Sequence, residues 1–205
     1  MKPVDTFSAN LSFHQQHAML LYSSDEDNAA TKYVNEALKK GYLTIYISIN
    51  GDTSKIAPLE SIDYEENVNQ ANLLTFDTRT FYKFALAGNL EPFEELKVLL
   101  EEAIREKRIA YKRNDDDDDD DDEEELNVVV VAGVAAELNR NEKFDECIKL
   151  EKWWQDTHSE WLQKGLKVTV ICPHLNPKLG KGEFTHYKQA ISSLHEIVVE
   201  SPSER

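Results

Sequence analysis

Short apolar segments alternate with helical patterns along the chain from residue 17 onward. The apolar segments are six to nine residues long and rich in β-branched and aromatic side chains, which is typical of β-strands. Several are apolar at consecutive positions, as expected of strands that are covered on both faces. Six strands are predicted, at residues 17–23, 42–50, 72–77, 127–133, 167–173 and 196–201. The fourth, NVVVVAG, is the most apolar and should be central.

Helical patterns fill most of the intervals between the predicted strands. In the first interval, apolar residues from Ala30 to Leu38 recur at helical spacing, and the helix is expected to end near Lys40, before Gly41. Further helices are predicted at 92–112, 143–164 and 184–194, whereas 53–71 is ambiguous between a loop and a short helix at 56–64. Because strands alternate with helices, the predicted fold class is α/β, a three-layer α/β/α arrangement with a mostly parallel central sheet.

The charge of the chain is concentrated in one segment. The formal net charge is −16, but residues 115–125 form an unbroken run of eight aspartates and three glutamates. Without this run the chain has 28 acidic and 23 basic residues. Adjacent like charges repel and bury nothing, so we expect a disordered acidic insertion at 114–126. The rest of the chain has no basic excess, which argues against a nucleic-acid partner.

Length and composition indicate one domain. We expect an N-terminal extension at 1–16, a single α/β domain at 17–201 and a short tail at 202–205. The two cysteines, Cys147 and Cys172, match neither a metal-knuckle nor a CxxC spacing, and they do not imply a disulfide scaffold. The sequence has no apolar signal segment and no stretch long enough to span a bilayer. A cytoplasmic protein without a membrane partner is therefore expected.

Ligand-binding residues are expected at the carboxyl ends of the predicted strands, where open parallel sheets bind their ligands. His17, at the start of the first strand, is expected to lie at the opposite end and to serve structure or partner contact. The candidate crevice residues are Ser23, Ser24, Asp25, Asn50, Asp52, Asp77, Arg79, Cys172 and His174.

Nucleotide hydrolysis is not expected at this crevice. The turn after the first strand reads YSSDEDN, which has neither the glycines that wrap phosphates nor the lysine that neutralises them. The fourth strand ends in Ala132 and Gly133, where a magnesium-binding acid would stand. The chain therefore has no catalytic residues of this kind and is interpreted as a non-enzyme that needs no cofactor.

Three smaller groups of residues leave alternatives open. Cys172 and His174 suggest a nucleophile and its base, but we expect them on different faces of the fifth strand unless Pro173 turns the chain, and a packed cysteine is favoured. His14 and His17 in HQQH suggest half of a metal site, but a surface and strand-edge role is favoured and no metal is predicted. Trp154 and Trp161 share a helix face with His158, where core packing is favoured over a ligand cage or partner surface.

Four stretches of the sequence together carry a family resemblance. HAMLLYSSDEDNAATKYVNEALKKGYLTIYIS contains a His-led strand, an acidic turn, a helix and a second strand of the pattern G-x-x-x-x-Y-I. LLTFDTRTFYKFALAGNLEPFEELKVLLEEAI has a third strand, a turn similar to Y-L-x-x-G-x-F and a helix. VVVVAGVAAEL with KLEKWWQDTH holds a fourth strand and a Glu-containing helix, and VTVICPHL a Cys-containing fifth strand. These stretches cover most of the chain from His17 to Val199 and resemble the MEDS family, the methanogen/methylotroph DcmR-type sensory domain.

The resemblance implies a RecA/KaiC-like fold, like that of P-loop NTPases but without their phosphate-binding loop. It implies a sensory role, which has been proposed for hydrocarbon derivatives in some relatives. His17, Glu151 and Cys172 match the recurrent positions of the family. The chain departs from the family pattern at Pro173, where a tyrosine is common, and at Gly133, where an acid is common.

The leading functional hypothesis is a non-catalytic sensory or signalling domain that binds a small molecule or a separate protein partner. One alternative is a KaiC-like interaction or regulatory protein with a degenerate nucleotide site. Another is an atypical nucleotide-binding enzyme. The sequence leaves the ligand and any homo-oligomer undetermined.

Overall fold

Six parallel strands form one sheet in the part of the chain that the computed structural model describes, residues 15–23, 29–49, 64–114 and 126–200. The strands are β1 (His17–Tyr22), β2 (Leu43–Ser48), β3 (Leu73–Asp77), β4 (Asn127–Ala132), β5 (Lys167–Leu175) and β6 (Ile197–Glu200). Their order in the sheet is β3-β2-β4-β5-β1-β6, and every described pairing is parallel. The predicted three-layer α/β/α class with a parallel sheet is confirmed.

Helices cover both faces of this sheet. The described helices are α1 (Ala29–Lys39), α2 (Tyr64–Asn69), α3 (Arg79–Leu86), α4 (Phe93–Asn114), α5 (Val134–Arg140), α6 (Phe144–Gln163), α7 (Asn176–Leu179) and α8 (Thr185–Ser192). α1 packs on one face, whereas α4, α5, α6 and α8 contribute to the larger core on the other. In the described ranges, no helix combines the length and the apolar character that crossing a membrane requires.

Alternate residues of each central strand enter different cores. Met19 and Leu21 of β1 face the larger core, whereas Ala18 and Leu20 face α1. β4 behaves in the same way, and its valines and alanine are at most 2% exposed. A strand that is apolar at consecutive positions can satisfy both faces only in the middle of a covered sheet. The prediction that the fourth strand is central is thus confirmed.

The predicted strand and helix ends agree with the structure to within about two residues. Four described helices, α2, α3, α5 and α7, were not predicted at these positions. Each is at most eight residues long, too short to carry a clear helical period. β5 is longer than predicted and continues through Pro173 to Leu175. The described pairing of β4 with β5 stops at Ile171, so the missing N–H of Pro173 removes no ladder bond to β4.

Several sequence predictions fall on residues outside the described ranges. The acidic run at 115–125, most of the possible helix at 56–64, nearly all of the N-terminal extension, and the tail belong to this group. So do four of the candidate crevice residues: Ser24, Asp25, Asn50 and Asp52.

Gly133 provides a test of the tight junction between β4 and α5. Its N–H donates to the carbonyl of Ile47 at 2.8 Å, and a Cβ added at Gly133 would lie 2.7 Å from that same oxygen. The φ of −75° suits any residue, so the cost of Gly133→Ala is steric. We expect a loss of about 1–3 kcal/mol in the free energy of unfolding. Gly182→Ala is the control, since nothing lies within 4 Å of its added Cβ. Equal urea midpoints for the two variants would contradict the packing described.

Candidate functional site

Glu151 of α6 is a fully buried carboxylate at the centre of the larger core. Its exposed fraction is 0%, which is rare for a glutamate unless it is paired. α6 packs against β5 and α8, so the side chain is directed at the sheet. It is surrounded by three histidines and two cysteines. We call this group the Glu151 cluster: Glu151, His17, His174, His195, Cys147 and Cys172.

The histidines approach the two carboxylate oxygens from different elements. His174 Nε2 of β5 lies 3.0 Å from Glu151 Oε1. Glu151 Oε2 lies 3.1 Å from His195 Nε2, which comes from the segment between α8 and β6. It also lies 3.6 Å from His17 Nε2 of β1. The imidazole rings of His17 and His195 stack with their centroids 4.1 Å apart.

These approaches are close but poorly directed for hydrogen bonds. Both carboxylate oxygens of Glu151 are buried without a hydrogen bond of acceptable geometry, and so are the Nε2 atoms of His174 and His195. Burying polar atoms in this condition is costly unless electrostatic attraction or a bound cation compensates. The cluster therefore holds its side chains together by charge rather than by aligned hydrogen bonds.

The Nδ1 atoms of His17 and His195 point away from Glu151 and contact backbone carbonyl oxygens. His17 Nδ1 lies 2.9 Å from the carbonyl oxygen of Leu194, and His195 Nδ1 lies 2.8 Å from that of Ile191. A carbonyl oxygen only accepts, so each Nδ1 carries a hydrogen and donates it. When either ring is neutral, its Nε2 atom therefore carries a lone pair, which points into the cluster.

Burial and mutual charge set the protonation of the cluster. Burial by itself raises the pKa of the Glu151 carboxyl, but the charge of His195 and the close approach of His17 and His174 outweigh it and hold that pKa well below its usual value. Burial lowers the pKa of His195, but the negative charge of Glu151 reverses this effect and raises it. Burial dominates at His174, whose pKa is lowered. Glu151 is thus ionised, its charge favours a proton on His195, and burial favours the neutral form of His174.

The two cysteines lie beside the carboxylate and are fully buried. Cys172 Sγ of β5 is 3.4 Å from His17 Nε2. Cys147 Sγ donates to the carbonyl of Ala135 at 3.7 Å. Burial, followed by the charge of Glu151, raises the pKa of both thiols well above the usual value. At neutral pH neither is a free thiolate, which argues against a reactive nucleophile open to a substrate.

Three aromatic side chains of α6, those of Trp154, His158 and Trp161, are buried on the side of the helix that carries Glu151. His158 lies two turns after Glu151 on the same face of α6, and its Nε2 lies 3.0 Å from the carbonyl oxygen of Val168. Trp154 and Trp161 are at most 1% exposed and belong to the larger core. The predicted packing role of these tryptophans is confirmed.

Among the described residues, the predicted crevice positions at the end of β3 are not brought together with those on β5. Asp77 and Arg79 pair with each other at the end of β3, with Arg79 Nε 2.8 Å from Asp77 Oδ2. The hydrogen bonds from Arg79 lower the pKa of the Asp77 carboxyl. β3 is an edge strand three positions from β5, and strands are spaced about 4.8 Å apart, so this pair lies about 14 Å from β5. Ser23 follows β1 and is half-buried.

Two expectations about Cys172 and His174 are wrong. Neither lies in an open crevice at the end of β5, because the strand continues to Leu175 and both side chains are 0% exposed. They also do not face opposite sides of the sheet. Side chains alternate with a period of two, so residues 172 and 174 share a face, and both face Glu151.

The expected separation of His17 from Cys172 is also wrong. In the parallel pairing of β1 with β5, His17 stands beside Val170 and Met19 beside Cys172. Cys172 therefore lies on the strand next to His17, only two residues beyond the residue that pairs with it. His14, the other histidine of HQQH, lies outside the described residues.

His195 and Cys147 were missed by the sequence interpretation. Cys147 stands four residues before Glu151 on one helix, a spacing that places both on the same face and was visible in the sequence. His195 stands two residues before β6, and the Glu196 N–H donates to the His17 carbonyl at 2.9 Å. Only the pairing of β6 beside β1 brings His195 to His17.

Comparisons with known proteins provide no name for this arrangement: no model of a protein family, no curated protein and no solved structure matches the chain.

Proposed function

We propose that the chain is a non-catalytic sensory domain whose input element is the Glu151 cluster and whose output is a separate protein partner. The observation that carries this proposal is the complete burial of an ionised carboxylate among histidines and cysteines. A substrate in solvent cannot contact the side chains of this cluster, because they are at most 1% exposed. A proton or a small bound species can change their charge, and in a dry interior such a change has large energetic consequences.

The position of the cluster supports a coupling role. Its side chains come from β1, β5, α6 and the segment between α8 and β6, so a change of charge must be accommodated by all of these elements. β6 is an edge strand with an exposed valine, Val198, and its pairing with β1 starts one residue after His17. A signal that begins at His195 therefore has a short path to the surface.

The family resemblance points in the same direction. The three positions that it singles out, His17, Glu151 and Cys172, are neighbours in the cluster. We take this as support for a MEDS-type sensory role, with a small molecule or ion as the primary signal. The KaiC-like and nucleotide-binding alternatives depend on the end of β4 and on the turn after β1, of which residues 24–28 lie outside the described ranges.

Hydrogen exchange measured by mass spectrometry tests the proposed coupling. Glu151→Gln removes the charge and keeps the volume, and we expect amides of residues 185–200 to exchange at least about 10-fold faster, equivalent to about 1.4 kcal/mol of local stability. Residues 43–48, in β2, are the internal reference. Glu160→Gln is the matched control, since Glu160 lies on the same helix but pairs with Lys97 at the surface.

Two results would contradict the sensory proposal. One is a change confined to the turns of α6 next to residue 151, which would make the cluster a local packing feature. The other is saturable binding of ATP with magnesium in titration calorimetry, which would favour the nucleotide-binding alternative.

A further inference from the structure

We propose that the Glu151 cluster is a binding site for one divalent transition-metal ion, zinc by preference, with four ligands: His17 Nε2, His195 Nε2, Glu151 Oε2 and Cys172 Sγ. The proposal deepens the proposed sensory function, on which it rests, by naming the class of species that the cluster binds. Imidazole, carboxylate and thiolate together suit a borderline-soft cation and are the ligands that zinc takes in proteins.

The spacing of the ligand atoms fits a tetrahedral site. Zinc bonds of about 2.0–2.3 Å place the ligand atoms of a tetrahedron about 3.3–3.6 Å from one another. Glu151 Oε2 is 3.6 Å from His17 Nε2 and 3.1 Å from His195 Nε2. Cys172 Sγ is 3.4 Å from His17 Nε2. All four atoms lie within 4.8 Å of one another, so a small adjustment of side chains encloses a cation.

The direction of the ligand atoms fits a cation as well. His17 and His195 donate their Nδ1–H groups to backbone carbonyls, which is the outer contact that metal-bound histidines make in most sites. When His195 is neutral, its Nε2 lone pair faces Glu151 Oε2 at 3.1 Å, and two atoms that only accept repel each other unless a proton or a cation lies between them. His195 Nε2 and Glu151 Oε2 are fully buried and have no hydrogen bond of acceptable geometry.

The charges balance with a divalent ion. The Glu151 carboxylate and a Cys172 thiolate supply two negative charges, and neutral His17 and His195 supply none, so a dication makes the buried site neutral. Binding requires that the Cys172 thiol lose its proton to solvent and that any proton on His195 leave with it. A neutral site avoids the penalty of leaving a net charge in the core.

His174 and Cys147 surround the proposed ligands without belonging to them. His174 Nδ1 lies 3.4 Å from the Asn139 side-chain nitrogen, which donates to it, so the hydrogen of the neutral ring is on Nε2, beside Glu151 Oε1. His174 thereby orients the carboxylate and leaves Oε2 for the metal. Cys147 directs its thiol at the carbonyl of Ala135 and is not needed for the charge balance. His174 is a positioning residue, and Cys147 is the matched control.

The test is to refold the full chain from urea with a chelator and then with cobalt(II), which substitutes for zinc and has visible spectra. We expect about one cobalt ion per chain, visible bands of tetrahedral intensity and a near-ultraviolet sulfur-to-cobalt charge-transfer band, all removed by zinc. Cys172→Ser should abolish the charge-transfer band, whereas Cys147→Ser should keep it. His174→Ala should weaken metal affinity by about 10–100-fold without loss of the band.

The same variants can also disprove the proposed metal site or its ligand assignment. If circular dichroism shows that Cys172→Ser does not fold, His195→Ala serves instead, because its side chain lies outside the sheet; it should weaken affinity by at least about 10-fold and keep the charge-transfer band. A folded wild-type chain that binds neither cobalt nor zinc overturns the proposal and leaves His195 protonated as the partner of Glu151. Loss of the band in Cys147→Ser but not in Cys172→Ser overturns the ligand assignment.

The outcome separates this inference from the sensory proposal. A chain that binds no metal but shows the expected exchange response to Glu151→Gln retains the sensory function with another signal. A chain that binds metal stoichiometrically while exchange at residues 185–200 is insensitive to Glu151→Gln has a structural metal site and is not a sensor of the proposed kind.

Discussion

Replacing Glu151 with alanine is expected to lower the free energy of unfolding by about 3–5 kcal/mol, which is the usual effect of removing one partner of a buried charged group. The change leaves His195 without its counter-charge and His174 without the oxygen that its Nε2 faces. It also leaves a cavity in the centre of the core, which adds to the loss. The cost therefore has two sources, electrostatic and packing.

Urea unfolding followed by circular dichroism measures this loss. Glu160→Ala is the matched control: it removes the same side chain from the same helix, but Glu160 is half-exposed and pairs with Lys97 at the surface. Exposed pairs contribute at most about 1 kcal/mol, so the control should unfold near the wild-type midpoint. A Glu151→Ala variant as stable as this control would show that the carboxylate is not the centre of a charged cluster.

The second large effect is expected at the tryptophans of α6. Trp154→Ala and Trp161→Ala should each lower the free energy of unfolding by about 3–5 kcal/mol, because both side chains are fully buried in the larger core. Substitution with phenylalanine should distinguish the two positions, because the indole N–H groups of the two tryptophans have different environments. Trp161 Nε1 donates to Glu101 at 2.9 Å, whereas Trp154 Nε1 is buried without a hydrogen-bond partner among the described residues.

We therefore expect Trp161→Phe to be more destabilising than Trp154→Phe by about 1 kcal/mol, the net contribution of one hydrogen bond. Removing the indole N–H of Trp154 also removes a buried donor that makes no bond, which offsets part of the packing loss at that position. Urea midpoints of the four variants at a fixed pH test the order. The reverse order of the two phenylalanine variants would contradict the described environments.

The strands and their burial were largely predictable from the sequence. Runs such as NVVVVAG are apolar at consecutive positions and can be satisfied only where helices cover both faces of a sheet, as β4 is covered here. The face of α6 was equally readable, since Trp154, His158 and Trp161 recur at helical spacing and all three are buried. α5 was not readable, because its residues are nearly all buried and so carry no amphipathic period.

The candidate site was decided by the tertiary structure. Glu151 is close in sequence only to Cys147, and the remaining members of the cluster come from β1, β5 and the segment before β6. The sequence specified that such strands exist, because hydrophobic patterning is local. It did not specify that β1 lies between β5 and β6, since many strand orders bury the same apolar faces. That order alone brings His17, Cys172 and His195 to one buried carboxylate, because only neighbouring strands place side chains within contact distance.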